Sequence, residues 1–292
     1  MNCYENRYPI IKYDQVREYC LNEEMNEEYM RSLIYRDFCG GGWLMNMERT
    51  QACWKKVLSY IAVVLLLLLY QKVSGKAGRY VADMFSYGKL DPDNAYAWGS
   101  VRHITQLLLA LAVILVISKL LKVNFYFSLG DRKKGIRFVV IYTVIFIGVT
   151  LVVHTIMMLN NSLPVYDYPL NKRNVLGTLG FQLFLSGPAE EVIYRALPIT
   201  LLVYVSGKNI KIKWGITLET IIASSLFAFA HMKWSFIPFN VEMNYPSFFY
   251  AFAQGIISGK LYQDSRSVIY PMFIHSISNV LMVGTGYLFL LM

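Results

Sequence analysis

The sequence predicts an all-α polytopic membrane protein, a bundle of about seven transmembrane helices. Of its 292 residues, 55% are hydrophobic and only 16% are charged, and the mean hydropathy is +0.39. Soluble domains carry about a quarter charged residues. The hydrophobic residues also gather in long runs separated by short basic loops. This pattern is typical of a chain that crosses a bilayer several times.

Two regions are predicted along the chain. Residues 1–53 are charged and tyrosine-rich, and we expect an N-terminal cytoplasmic segment in which residues 1–46 are either disordered or not part of the mature chain. Residues 54–292 are predicted to form the transmembrane domain. Its apolar runs are 57–70, 104–123, 135–159, 175–205, 215–232, 245–262 and 267–291.

Basic residues cluster in three of the connecting loops, those after the second, fourth and sixth runs. By the positive-inside rule these loops and the N-terminus are cytoplasmic. The formal net charge of +9 is therefore interpreted as a topology signal, and we expect the lipid bilayer and no nucleic acid as a partner. The basic residues of these loops are Lys119, Lys122, Arg132, Lys133, Lys134, Arg137, Lys208, Lys211, Lys213, Lys260 and Arg266.

The fourth run carries Glu190, Glu191 and Arg195 in an otherwise apolar stretch. An ionisable side chain costs about 2.5–3.5 kcal/mol at the centre of a membrane helix, so its presence indicates a functional site. Glu191 and Arg195 are four residues apart, in the favourable order for an ion pair. Glu190 points about 100° away and remains for another task. The alternative is an ion-paired structural knot between helices. Pro188 and Pro198 predict a kink or a break in this helix.

Histidines in later apolar runs supply further candidate groups. His231 ends one run, and His275 and Asn279 share a helix face in the last run because they are four residues apart. His103 and His154 are isolated near predicted helix ends, and we interpret both as structural.

These side chains are the parts of a hydrolytic site. A carboxylate between helices can act as general base on a water molecule, and a histidine across the water can return a proton to a leaving amine. A second histidine and an asparagine on one face can donate hydrogen bonds to an oxyanion. Serine and cysteine do not occur in an evident nucleophile context, so the sequence favours direct attack by water.

Three ordered motifs resemble those of the CPBP family, which comprises CAAX proteases and bacteriocin-processing (Abi) proteins. The motifs are Glu190-Glu191-x-x-x-Arg195, Phe227-x-x-x-His231 and His275-x-x-x-Asn279, and the resemblance covers about residues 125–285. It implies an intramembrane endopeptidase that acts on a peptide or protein. It further implies that Glu190 activates water with the help of His231, that His275 and Asn279 form the oxyanion site, and that Glu191 with Arg195 supports them. Ala196 stands where the family usually has glycine.

No cofactor is favoured, although zinc is possible. Members of this family have often been called metalloproteases, and Glu190, His231 and His275 would be the ligands if a metal were present. A His-Glu-x-x-His motif does not occur, and Arg195 beside the carboxylates opposes cation binding. We therefore expect metal-free catalysis.

Two other function classes remain open. The chain is alternatively a non-catalytic immunity or scaffold protein that binds a peptide, or a proton-coupled transporter that uses the two glutamates as a relay. A transporter predicts inverted repeats, which the sequence does not show. The sequence does not choose among peptide maturation, immunity and CAAX-like processing.

Three expectations concern packing and depth. Gly255 and Gly259 form a small-residue pair that predicts close helix packing, and Glu219 is expected to be solvated at a helix end. In straight spanning helices, His231 would lie near the outer side of the membrane and His275 nearer the inner side. A broken fourth helix, a re-entrant fifth helix, or an orientation other than the one predicted from the loop charges would bring them together.

Overall fold

The computed structural model describes residues 47–236 and 239–292, and residues 1–46, which form most of the expected N-terminal segment 1–53, lie outside the described residues. The described helices are α1 (Met47–Asp83), α2 (Ala97–Leu121), α3 (Arg132–Leu159), α4 (Lys172–Phe181), α5 (Gly187–Glu191), α6 (Leu197–Ser206), α7 (Leu218–Ala230), α8 (Tyr245–Ser265) and α9 (Ile269–Leu290). Two antiparallel hairpins, which the sequence analysis did not predict, pair β1 (Lys211–Lys213) with β2 (Ile216–Thr217) and β3 (Lys233–Phe236) with β4 (Phe239–Glu242).

The helices form the bundle of a multi-pass membrane protein, which confirms the predicted fold class. Within the described ranges, four helices are long and apolar enough to cross a membrane. Helix α7 is apolar but shorter, with 13 residues. Large apolar side chains such as Leu66, Leu115 and Val144 are exposed on the outer faces of α1 to α3, as expected of surfaces that face lipid. The spanning segments are Trp54–Asp83, Ala97–Leu121, Arg132–Leu159 and Ile269–Leu290.

The fourth apolar run forms one irregular helix over residues 172–206, here called the site helix. It contains two π-helical stretches, Gln182–Ser186 and Val192–Ala196, which separate α4, α5 and α6. Pro188 and Pro198 lie in the first turns of α5 and α6, directly after these stretches. Proline lacks the N–H that continues an α-helical ladder, and a π turn accommodates such an interruption. The predicted kink or break therefore takes the form of two π turns in a helical backbone that continues throughout.

Small residues set the closest helix contacts. A Cβ atom added to Gly255 would lie 2.7 Å from Cβ of Ser224, and one added to Gly259 would lie 2.8 Å from Cγ2 of Thr220. The backbones of α8 and α7 therefore lie close together at these glycines, which confirms the close packing predicted for this glycine pair. A Cβ atom on Gly187 would likewise meet Oγ of Ser276 at 2.4 Å. The site helix and α9 therefore approach closely next to the glutamate pair.

The three basic loops lie at one end of the bundle. After α2, the carbonyl oxygen of Tyr126 accepts a hydrogen bond of 2.9 Å from the backbone N–H of Val268, which follows α8. Beyond the β1–β2 hairpin, the hydroxyl of Thr217 donates to Oε1 of Gln263 on α8 at 3.0 Å. A shared end is what the predicted topology requires of these loops.

Glu219 is buried at this basic end, so the expectation of a solvated side chain was wrong. The side chain is 0% exposed. Its two carboxylate oxygens accept the backbone N–H of Ile210 at 3.2 and 3.3 Å. The backbone N–H of Leu218 also donates to the carbonyl of Ile210. The segment before β1 therefore folds back onto the start of α7 and covers the carboxylate.

Candidate active site

A cavity of about 370 Å³ lies between the site helix, α2, α7, α8 and α9. Most of the polar residues singled out in the sequence lie on its wall, namely Glu190, His231, His275 and Asn279. Glu191 and Arg195 are buried beside it, with 0% and 1% exposure. The other lining residues are His103, Phe181, Gln182, Ser186, Phe227, Tyr250, Ala251, Gln254, Met282 and Val283.

Glu190 is held between two histidines from different helices. Its Oε1 lies 3.3 Å from Nε2 of His103 on α2, and its Oε2 lies 3.5 Å from Nε2 of His275 on α9. The side chain retains 20% exposure, so it is neither sealed in the core nor open to bulk solvent. As predicted from the helical spacing, Arg195 forms its ion pair with Glu191, and Glu190 has other partners.

Glu191 contacts both Arg195 and His275. Its Oε2 lies 3.2 Å from Nε of Arg195, which confirms the predicted ion pair, and its Oε1 lies 2.6 Å from Nδ1 of His275. The sequence did not reveal this second contact. Because a carboxylate paired with a guanidinium is a strong hydrogen-bond acceptor, Glu191 fixes the ring of His275 with a hydrogen on Nδ1.

Phe227 is the apolar centre around which the charged groups pack. The guanidinium carbon of Arg195 lies 4.1 Å from the centre of the Phe227 ring. The rings of His231 and His275 meet the same ring edge to face, at 4.7 and 5.7 Å. A buried cation gains from the face of an aromatic ring, so Phe227 stabilises Arg195 in addition to the ion pair with Glu191.

His231 directly follows α7 and is oriented by the last turn of that helix. Its Nδ1 lies 2.9 Å from the carbonyl oxygen of Phe227. A carbonyl oxygen only accepts hydrogen bonds, so Nδ1 carries the hydrogen and Nε2 is the acceptor nitrogen of the neutral ring. A ring in this tautomer can take up a proton on Nε2 and release it again.

Asn279 places an amide donor on the same wall. Its Nδ2 donates to Oγ of Ser186 at 3.2 Å, which links α9 to the first π turn of the site helix. An amide nitrogen carries two hydrogens. One binds Ser186, and the second remains for another acceptor.

The short α7 resolves the difference in depth between the histidines. Its 13 residues span about 20 Å at about 1.5 Å per residue, which is less than the hydrocarbon core of about 30 Å. The predicted run 215–232 therefore is not a straight crossing with His231 at its outer end. Instead the chain leaves the helix at His231, and this residue lines the same cavity as His275.

His103 is the functional candidate that the sequence analysis missed. The predicted run began at Ile104, whereas α2 begins at Ala97, so His103 lies inside the helix and not at its end. The signal was a histidine in an apolar helix, where an ionisable side chain needs polar partners. His154, by contrast, is buried on α3 with Nδ1 bonded to the carbonyl of Thr150 at 2.9 Å, away from the cavity lining, and its structural interpretation fits.

The described side chains do not form an evident metal centre. In residues 47–236 and 239–292, no group of three or more histidine, cysteine, aspartate or glutamate side chains is arranged to hold a metal ion. His103 and His275 lie on opposite oxygens of Glu190. The donors thus surround the carboxyl group and do not converge on one point beside it.

The fold and the site define a class: a multi-pass membrane protein with a carboxyl–histidine cavity between its helices. Residues 172–281 match the family model described as Type II CAAX prenyl endopeptidase Rce1-like, which is a model of the CPBP family. No curated protein and no solved structure matches the chain. The matched range contains all three motifs but leaves out His103 and helices α1 to α3. The family is one of membrane endopeptidases, which act on peptides or proteins.

Proposed function

We propose that the protein is an intramembrane endopeptidase in which Glu190 activates a water molecule for attack on a peptide bond. The observation that carries the proposal is the cavity itself. It brings Glu190, His231 and His275 together from three separate stretches of chain, and a hydrolase of this kind needs a base, an acid and an oxyanion donor around one space.

The reaction proceeds in two steps. Glu190 takes one proton from water while the water oxygen bonds to the carbonyl carbon, which gives a tetrahedral oxyanion. Glu190 passes this proton to Nε2 of His231, which restores the carboxylate. The carbon–nitrogen bond then breaks, His231 gives the proton to the leaving amine, and the products are one new carboxyl terminus and one new amino terminus.

The oxyanion is stabilised by Asn279 and His275. Asn279 has an amide hydrogen that Ser186 does not use. Glu191 accepts the hydrogen on Nδ1 of His275, so His275 donates to the oxyanion from Nε2 in its doubly protonated form. Arg195 offsets the charge of the Glu191 carboxylate, which accepts from His275, through the ion pair at 3.2 Å. The buried pair thus supports the reaction through His275 without touching the substrate.

Catalysis is proposed to be metal-free. The separated placement of His103 and His275 around Glu190 and the cationic Arg195 behind the carboxylates support this choice. We expect that 1,10-phenanthroline and EDTA leave the cleavage rate unchanged and that added Zn²⁺ does not raise it. Loss of activity with a chelator and its recovery with Zn²⁺ would contradict the proposal and favour zinc on Glu190, His231 and His275.

The substrate is proposed to be a membrane-associated peptide, and the basic end of the bundle is proposed to be cytoplasmic, with the N-terminus on that side. Reporter fusions after Lys213 and after Met292 test this orientation. We expect a cytoplasmic signal from the first and an external signal from the second. The reverse pattern would overturn it.

The test of function is cleavage of candidate peptides in membranes that contain the wild type, Glu190→Gln or His231→Ala at matched protein levels. The candidates are a farnesylated peptide ending in Cys-aliphatic-aliphatic-X and a proteome-derived peptide library, scored by mass spectrometry. Product from the wild type alone supports a peptidase with these two residues in the reaction. A biological readout such as peptide immunity that persists in both variants without cleavage would favour the non-catalytic scaffold.

A further inference from the structure

His103 comes from a helix outside the matched domain and contacts the proposed base. It is the seventh residue of α2, while the family match begins at residue 172. Its Nε2 lies 3.3 Å from Oε1 of Glu190, and its side chain keeps 12% exposure on the cavity wall. The contact therefore joins the part of the chain before the domain to the reacting carboxyl group.

The orientation of the His103 ring is fixed independently of Glu190. Its Nδ1 lies 2.8 Å from the carbonyl oxygen of Gly99, one helical turn earlier. The ring also meets Phe181 of the site helix edge to face, with centroids 5.0 Å apart and planes at 76°. These two contacts hold Nε2 towards Glu190 from both sides of the ring.

The hydrogen count across this contact is also fixed. The carbonyl of Gly99 only accepts, so Nδ1 of His103 carries a hydrogen, and in the neutral ring Nε2 then presents a lone pair. A lone pair that faces a carboxylate oxygen is repulsive. The contact is favourable only when one hydrogen lies between Nε2 of His103 and Oε1 of Glu190. Because Glu190 must be a carboxylate to take a proton from water, this hydrogen lies on Nε2 in the state that reacts.

We propose that His103 is a positioning residue that holds the Glu190 carboxyl group in place by sharing one hydrogen between Nε2 and Oε1. Oε2 is then directed towards His275 and the cavity, where water is activated. This inference rests on the proposed function. It assigns to α2 a part in the reaction: without His103, the carboxyl group keeps only the 3.5 Å contact to His275 and loses its fixed rotamer.

Two replacements separate positioning from packing. His103→Phe keeps a ring against Phe181 but removes the hydrogen-bonding nitrogen. His103→Gln offers an amide that can either donate to Glu190 or accept from it. His154→Gln is the matched control, because His154 has the same Nδ1 bond to a carbonyl one turn earlier but lies outside the cavity.

The experiment measures kcat and KM in detergent with the peptide that the wild type cleaves best among the farnesylated peptide and the peptide library. We expect His103→Phe to lower kcat by about 10- to 100-fold, the cost of a misplaced catalytic group, with KM unchanged. His103→Gln should recover most of this loss, and His154→Gln should keep the wild-type kcat. Equal losses in His103→Phe and His103→Gln, or a change in KM alone, would overturn the positioning role.

The Glu190→Gln variant distinguishes the failure of this inference from the failure of the proposed function. If Glu190→Gln is inactive while His103→Phe is fully active, only the inference fails. If Glu190→Gln stays active, or the wild type cleaves no peptide, the proposed function fails. A double-mutant cycle in thermal unfolding with His103→Phe and Glu190→Gln needs no substrate. Coupling between the two sites supports the contact, and strictly additive effects would refute it.

Discussion

Glu190 and Glu219 are both carboxylates in apolar helices, yet their surroundings differ in kind. Glu190 lies on a cavity wall between His103 and His275, which can both gain and lose a proton. Glu219 is fully buried at the basic end, where it accepts the backbone N–H of Ile210. Glu190 therefore lies next to open space and to side chains that can exchange a proton. Glu219 lies in a closed environment, where a backbone N–H donates to it.

The difference shows what an ionisable residue in a membrane helix indicates. The free-energy cost of placing such a side chain in a membrane helix must be offset by favourable contacts. At Glu219 these contacts are structural. The backbone N–H of Ile210 donates to the carboxylate and holds a loop onto a helix end. At Glu190 the compensation comes from side chains around an open space. The burial of a carboxylate is therefore less informative than the chemistry and access of its partners.

Among the variants considered, the largest loss of cleavage rate is expected when a histidine of the cavity is replaced. His231→Ala should lower the cleavage rate by about 100- to 10,000-fold, because it removes the group that returns the proton to the leaving amine. His154→Ala should lower thermal stability but not the rate per folded molecule. Rates from purified protein, normalised to the folded fraction, check this. Equal rate losses in both variants would mean that the cavity has no special role.

Asn279→Ala should slow cleavage by about 100- to 1,000-fold if its amide stabilises the oxyanion. Ser186→Ala is the matched control, since it removes the other partner of the 3.2 Å hydrogen bond and leaves the amide in place. We expect a much smaller loss there. The comparison is made in kcat, and similar losses in the two variants would assign Asn279 to packing between α9 and the site helix.

Glu191→Gln should destabilise the fold by about 3–5 kcal/mol, the cost of leaving a buried charge without its partner, because Arg195 is 1% exposed. Activity of the remaining folded protein should also fall, since His275 loses its charged acceptor. The double variant Glu191→Gln with Arg195→Met should regain stability but not activity. Unfolding in detergent and kcat together test this, and full recovery of activity would contradict a supporting role for the pair.

Glu219→Ala should have a smaller effect, confined to stability. The variant leaves the N–H of Ile210 without its acceptor, which costs about 1–3 kcal/mol when the group stays buried. The cleavage rate of the folded fraction should match that of the wild type. A lowered kcat at unchanged stability would mean that the basic end takes part in the reaction.

The sequence predicted the bundle, and the contacts between motif residues on one helix, because both depend on patterns within single helices. Apolar runs set the helices, and four-residue spacings set the Glu191–Arg195 pair and the shared face of His275 and Asn279. It did not predict the contacts that depend on how helices meet. His103 was placed at a helix end because α2 starts seven residues before the apolar run. The burial of Glu219 depends on a hairpin whose short strands carry no strong apolar signal.

Cleavage in H₂¹⁸O by purified wild type, Glu190→Gln and Glu219→Gln, measured side by side by mass spectrometry, tests directly whether Glu190 activates water. We expect one ¹⁸O atom in the new carboxyl terminus and equal rates for the wild type and Glu219→Gln. Glu190→Gln should give no labelled product, although that protein remains folded. Labelled product from Glu190→Gln at the wild-type rate would contradict the assignment of Glu190 as the group that activates water.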